Sequence, residues 1–133
     1  MEMSKTIFEN PGMNIFYDKG EYSLSLNVES GFVGFDVTIP LTELDVVVIE
    51  TENERAAFLQ AALHHPFQLK ENRLGNVEQR YYLDKILHSP KLEVEAFLTE
   101  IDHGTANGAI SNMVHFTCGK DQGILRNGQW FNR

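Results

Sequence analysis

Alternation of apolar and polar residues organises the first forty positions of the chain. Met13, Ile15 and Tyr17 alternate with Asn14, Phe16 and Asp18. After a turn at Asp18-Lys19-Gly20, Tyr22, Leu24, Leu26 and Val28 alternate with Ser23, Ser25, Asn27 and Glu29. After Ser30-Gly31, Val33, Phe35, Val37 and Ile39 alternate with Gly34, Asp36 and Thr38. Successive side chains of a strand point to opposite faces, so each segment reads as a strand with one buried and one wet side. Paired as a meander, the strands form an antiparallel sheet with Glu29 and Asp36 on its solvent face.

Pro40 ends the last of these strands, and the period changes. Residues 42–50 carry two opposed signals. Thr42-x-x-Asp45 is a capping box for a short helix, whereas Val46–Ile49 is a β-branched run suited to a strand. The helical spacing of Leu41, Leu44 and Val48 tips the reading toward a helix. A second box, Thr51-x-x-Glu54, precedes Phe58, Leu59, Ala62 and Leu63, which predicts an amphipathic helix ending before Pro66. Gln68 to Asn76 is polar and reads as a loop. Tyr82, Leu83, Ile86 and Leu87 then form a stripe on a helix from about Val77 to His88. Ser89-Pro90 supplies an N-cap with proline at the first helical position. Val94, Phe97, Leu98 and Ile101 follow at helical spacing, up to a stop near His103-Gly104.

The remaining chain reads as strand again. Ala109 to Cys118 suits a strand, and Asn127-Gly128 suits a hairpin turn joining Ile124–Arg126 to Gln129–Phe131. Strands, then helices, then strands predict an α+β fold: a mainly antiparallel sheet with two to four helices packed on one face. A length of 133 residues predicts a single domain, 1–133.

Composition adds limits. A hydrophobic fraction of 42% fills one core. The longest apolar run, Val46–Ile49, is far too short to span a bilayer. Met1 to Lys5 shows no basic segment leading into an apolar one, and Cys118 is the single cysteine, so no internal disulfide forms. These features predict a cytoplasmic protein.

Charge changes the picture more. Gly20 to Glu54 holds eight carboxylates (Glu21, Glu29, Asp36, Glu43, Asp45, Glu50, Glu52 and Glu54) and no lysine or arginine. The net charge is -8, and elsewhere acids and bases cancel. Even scattering of the chain's 11 bases would place about three in this window. Leu92 to Gly119 likewise holds Glu93, Glu95, Glu100 and Asp102 without a base. A single-sign field of this kind repels nucleic acid and anionic membrane and speeds encounter with a cationic protein. The plainer explanation is a solvated face that keeps a small protein soluble. As a partner-binding surface, the window nominates Glu29, Asp36, Glu43, Asp45, Glu50 and Glu52.

No catalytic motif accompanies the acids. His64 and His65 are adjacent and point about 100° apart on a helix, so they do not chelate together. Glu100-x-x-His103 occurs once, and His88 and His103 sit at helix C-termini, where the helix dipole favours them. Cys118 ends the expected strand as a small buried apolar residue; a nucleophilic role would need His115 or another histidine beside it. Gly119-Lys120-Asp121-Gln122-Gly123 is no phosphate loop, and Ser4, Ser30 and Ser111 lack a nucleophile-elbow context. The bases of Lys70 to Lys91 are dispersed rather than set in a nucleic-acid-binding stripe. Catalytic residues, metal ligands and cofactors are accordingly not assigned.

The small acidic domain resembles the stand-alone immunity proteins of bacterial polymorphic toxin systems, including contact-dependent growth inhibition. The resemblance is carried by Ile39-Pro40-Leu41-Thr42 and by Glu54-Arg55-Ala56-Ala57-Phe58-Leu59-Gln60-Ala61-Ala62-Leu63-His64. It implies a cytosolic protein that binds a cognate toxin domain, often a basic nuclease, and blocks it. Nuclease surfaces are positive because they bind phosphates, so a carboxylate surface would mimic their ligand. Tyr17, Phe32 or Trp130 would serve as anchors. Two further readings remain open. One is a small-molecule-binding module or small enzyme with a pocket between sheet and helices near His115, Cys118 and Trp130. The other is an oligomerising structural domain.

Overall fold

The computed structural model describes residues 5–10, 12–30, 33–69, 75–104 and 106–131; for 5–10, 29, 30, 33, 68 and 69 it describes the backbone. Among the described residues four strands come first: β1 (Lys5–Asn10), β2 (Met13–Asp18), β3 (Glu21–Ser30) and β4 (Val33–Leu41). They form one antiparallel sheet in the order β1-β2-β3-β4, the meander expected from the alternation with a strand added before it. The β2–β3 turn needs a positive φ at both central residues, and Lys19 (53°) and Gly20 (82°) provide it. Met13, Ile15, Leu24, Leu26, Val37 and Ile39 line the buried face, while Asn27, Asp36 and Thr38 are exposed on the other.

Among the described residues six helices follow: α1 (Glu43–Thr51), α2 (Asn53–Leu69), α3 (Asn76–His88), α4 (Lys91–His103), α5 (Ala109–Cys118) and α6 (Gln122–Arg126). The fold is α+β, with more helices than the two to four expected. α2 lies against β3 and packs with α1, α3, α4 and α5, and every described residue from Arg55 to Leu63 except Ala57 is buried. A helix buried nearly all round needs small residues, and Ala56, Ala61 and Ala62 supply them.

Residues 42–50 resolve as helix. Thr42 Oγ1 accepts from Asp45 N–H at 3.2 Å, and Asp45 Oδ2 accepts from Thr42 N–H at 2.8 Å, completing the capping box. α2 does not end before Pro66 but runs through it to Leu69. Proline removes one helix hydrogen bond, and burial of the next residue, Phe67, offsets part of that loss. α4 begins at Lys91 with Pro90 itself as N-cap, one residue later than the Ser89-Pro90 reading.

The C-terminal third differs most. Ala109–Cys118 is a helix, not a strand, bounded by Gly108 (φ 91°) and Gly119 (φ 72°). Ile110 and Val114 are buried one turn apart. No hairpin forms at Asn127-Gly128, because residues 122–126 are helical. The main chain of Trp130 and Phe131 finds a carboxylate instead of a strand: Glu95 Oε2 accepts from both N–H groups, at 2.8 and 3.0 Å. The order is therefore strands, then helices.

Candidate interaction surface

α1 divides the acidic window into an inner and an outer part. Its buried stripe is Asp45, Val46 and Ile49. Asp45 is fully enclosed. Arg80 of α3 donates to it through two parallel bonds, Nη1 to Oδ2 and Nη2 to Oδ1, both 2.7 Å. His88 Nε2 lies 2.6 Å from Oδ1. Burial by itself pushes the Asp45 carboxyl up. Hydrogen bonds from Arg80, the Thr42 N–H and His88, together with the charge of Arg80, outweigh burial and hold the group at about 2. The bond to Asp45 likewise raises Arg80, against burial and with help from Asp84. Asp45 therefore leaves the proposed partner surface: it is an interior clamp between α1 and α3, and Arg80 is its counter-ion rather than a dispersed solubilising base.

The other nominated acids separate. Glu43 and Glu50 are exposed on α1, and among the described residues neither forms an ion pair. Asp36 is exposed on the sheet and accepts from Asn27 Nδ2 at 3.2 Å. Glu52 follows α1 and pairs with Arg55 at 2.9 Å. The Glu29 side chain lies outside the described residues; its backbone pairs with Gly34. Glu54 is paired with Lys120 at 2.7 Å. Three acids of the window thus find bases distant in sequence or on the next helix. In the second acidic segment, Glu95 and Asp102 are interior. Asp102 Oδ1 accepts from Ser111 N–H at 2.9 Å, and its Oδ2 lies 3.7 Å from Arg126 Nε.

Beside Glu43 and Glu50, α1 exposes Leu44 at 70% and Val47 at 50%. Residues three apart on a helix are surface neighbours, so these side chains form an apolar spot with a carboxylate before and after it. The Leu41, Leu44, Val48 spacing was sound as helical period but chose the wrong stripe; the capping Asp45, bound inward to Arg80, rotates Leu44 outward. Of the expected aromatic anchors, Trp130 is fully buried, Tyr17 is half-buried against Tyr22, and Phe32 lies outside the described residues.

Two clefts stand out among the described residues. One, about 250 Å³, lies between Ile39, Pro40, Leu41 and Thr42 and the α3 residues Asn76, Gln79, Arg80 and Leu83. The other, about 350 Å³, is lined by Lys120, Asp121, Ile124 and Trp130 among others, and includes neither His115 nor Cys118. Cys118 is exposed at the end of α5, not buried in a strand. His115 Nδ1 is 2.6 Å from Lys120 O, so its ring is turned to the main chain. Among the described residues, no group of three or more His, Cys, Asp or Glu is placed to hold a metal, and no helix is long and apolar enough to cross a membrane. No protein-family model matches this chain, and no curated protein or solved structure is significantly similar to it.

Proposed function

We propose that this chain is an inhibitor of the immunity-protein kind, which neutralises a basic toxin domain by binding it in the cytoplasm, without catalysis or cofactor. The observation that supports this reading is the outer face of α1, where Leu44 and Val47 stand exposed between Glu43 and Glu50. Carboxylates that form no ion pair among the described residues are available to a cationic partner and accelerate its approach. Affinity then comes from apolar anchors, each contributing about 1.5–3 kcal/mol when fully buried. Asp36, on the sheet, and Glu52, paired with Arg55, lie outside this face.

The experiment is a binding titration against the purified product of the adjacent reading frame, at low and high ionic strength, paired with a growth assay in which that product is expressed alone or with this chain. Salt-weakened binding and restored growth are expected. Absence of binding, or binding indifferent to salt, sinks the proposal.

A further inference from the structure

The strand register decides which main-chain groups of β4 are free. Asn27 N–H donates to Gly12 O at 2.8 Å, so Asn27 turns its main chain toward β2. Hydrogen-bonding direction alternates along an antiparallel strand, so Tyr22, Leu24, Leu26 and Val28 turn theirs toward β4. The register pairs those four with Leu41, Ile39, Val37 and Phe35 without interruption. Gly34, Asp36, Thr38 and Pro40 therefore direct their main chain away from the sheet, and all four are exposed. Pro40, which has no N–H, occupies an outward position, where no ladder bond to β3 is lost. Among the described residues no strand lies beyond β4.

This edge is poorly guarded. Sheet edges are ordinarily blunted by several charged side chains, proline, bulges, short length or a covering element. β4 has nine residues, keeps unbroken register with β3, and carries one charge, Asp36, with its proline next to last. Its C-terminal half also forms one wall of the 250 Å³ cleft, opposite α3.

We infer that the free edge of β4 accepts an extended segment of the basic partner as a fifth strand. The N–H and C=O groups of Gly34, Asp36 and Thr38 form the new ladder. An apolar side chain on the inner side of the added strand enters the cleft beside Pro40. A lysine or arginine on its outer side stands across from Asp36, a favourable cross-strand pair. Main-chain bonds supply affinity, while the cleft and Asp36 select the sequence. β4 leads through Thr42 directly into Glu43 of α1, so the edge and the α1 face are consecutive along the chain. The inference rests on the basic-partner reading and adds how that partner docks.

The test uses the full chain, labelled with ¹⁵N and titrated with a short synthetic peptide of alternating arginine and valine. In the free protein, the amides of Gly34, Asp36 and Thr38 are expected to exchange rapidly while those of Phe35, Val37 and Ile39 are protected. Peptide should shift and protect the first three. The same peptide N-methylated at alternate residues should leave them unchanged. Thr38→Pro removes one outward N–H without touching the β3–β4 ladder and should weaken binding about tenfold or more. The N-methylated peptide tests the ladder without any variant of the protein. Edge amides already protected in the free monomer, or no shifts at all, overturn the inference. Protection that grows with protein concentration alone also overturns it, assigning the edge to a second copy of this chain. Shifts confined to Leu44 and Val47 overturn the strand while the basic-partner reading stands. Edge shifts with no salt dependence support the strand while the basic-partner reading falls.

Discussion

Arg80 grips Asp45 through two parallel 2.7 Å hydrogen bonds, joining α3 to the first turn of α1 across 35 residues of sequence. Asp84 holds the same guanidinium from one turn further along α3, through Nε at 3.0 Å and Nη2 at 2.8 Å. The planar fork of arginine suits this double duty, and lysine would not reproduce it.

Arg80→Ala leaves the Asp45 carboxylate enclosed without its counter-ion. Fully interior pairs lose about 3–5 kcal/mol when one partner is removed. The Arg80 side chain is 35% exposed, so water takes over part of its role. A loss of about 2–3 kcal/mol is expected, read by urea denaturation. Asp45→Asn combined with Arg80→Gln should cost clearly less than the sum of the two single changes.

Acid should expose the same clamp. The folded pKa of Asp45, about 2, lies below its ordinary 3.8, so the unfolded chain binds the proton more readily. Its contribution is fully present above pH 4 and is lost as pH falls from about 4 toward 2, on the order of 2 kcal/mol in all. Stability measured across that window should fall less steeply for Asp45→Asn than for the unaltered protein. Equal slopes would contradict the assignment.

Arg55 closes the end of α3 from a neighbouring helix. Its Nη1 donates to the carbonyls of Ile86, Leu87 and Ser89 at 3.1, 3.3 and 2.7 Å. Helix ends leave carbonyls without partners, and a buried cation is a favourable one there. Arg55→Met keeps much of the volume but leaves these carbonyls unpaired, at a cost of about 2–3 kcal/mol. Thermal denaturation followed by circular dichroism checks it.

Leu44→Asp separates binding from folding. The side chain is already in water, so stability should stay within about 0.5 kcal/mol. Affinity for the basic partner should fall about tenfold or more, since a buried anchor becomes a charge. Glu50→Lys should instead slow association and flatten its salt dependence. Kinetic measurements on a surface-immobilised partner distinguish the two effects.

Strands β2 to β4 and the first four helices are legible in the sequence because their signals are local, whereas the alternation does not mark β1, and α2 passes the Pro66 expected to stop it. Alternation assigns Leu24 and Leu26 inward and Asn27 outward without reference to anything distant. Thr42-x-x-Asp45 marks the start of α1, against the opposing β-branched run Val46–Ile49. α5 was legible in part: Ile110, Met113 and Val114 keep helical spacing and Gly119 is suited to a helix stop, yet the β-branched residues pull the reading toward strand. The Asn127-Gly128 pair signals a turn, but a hairpin also needs two strands, and Glu95 takes the backbone groups that would have built one.

Local pattern specifies the faces of β2 to β4, the capping box and the excess of carboxylates between Gly20 and Glu54. Which of those carboxylates face water depends instead on how the helices pack. Arg80 reaches Asp45, and Lys120 reaches Glu54 from 66 residues away, and no spacing rule encodes such partners. The reason is physical. Period and capping depend on neighbours within a turn or two of the chain, whereas the cost of burying a charge is met by whichever opposite charge the packing of helices brings alongside.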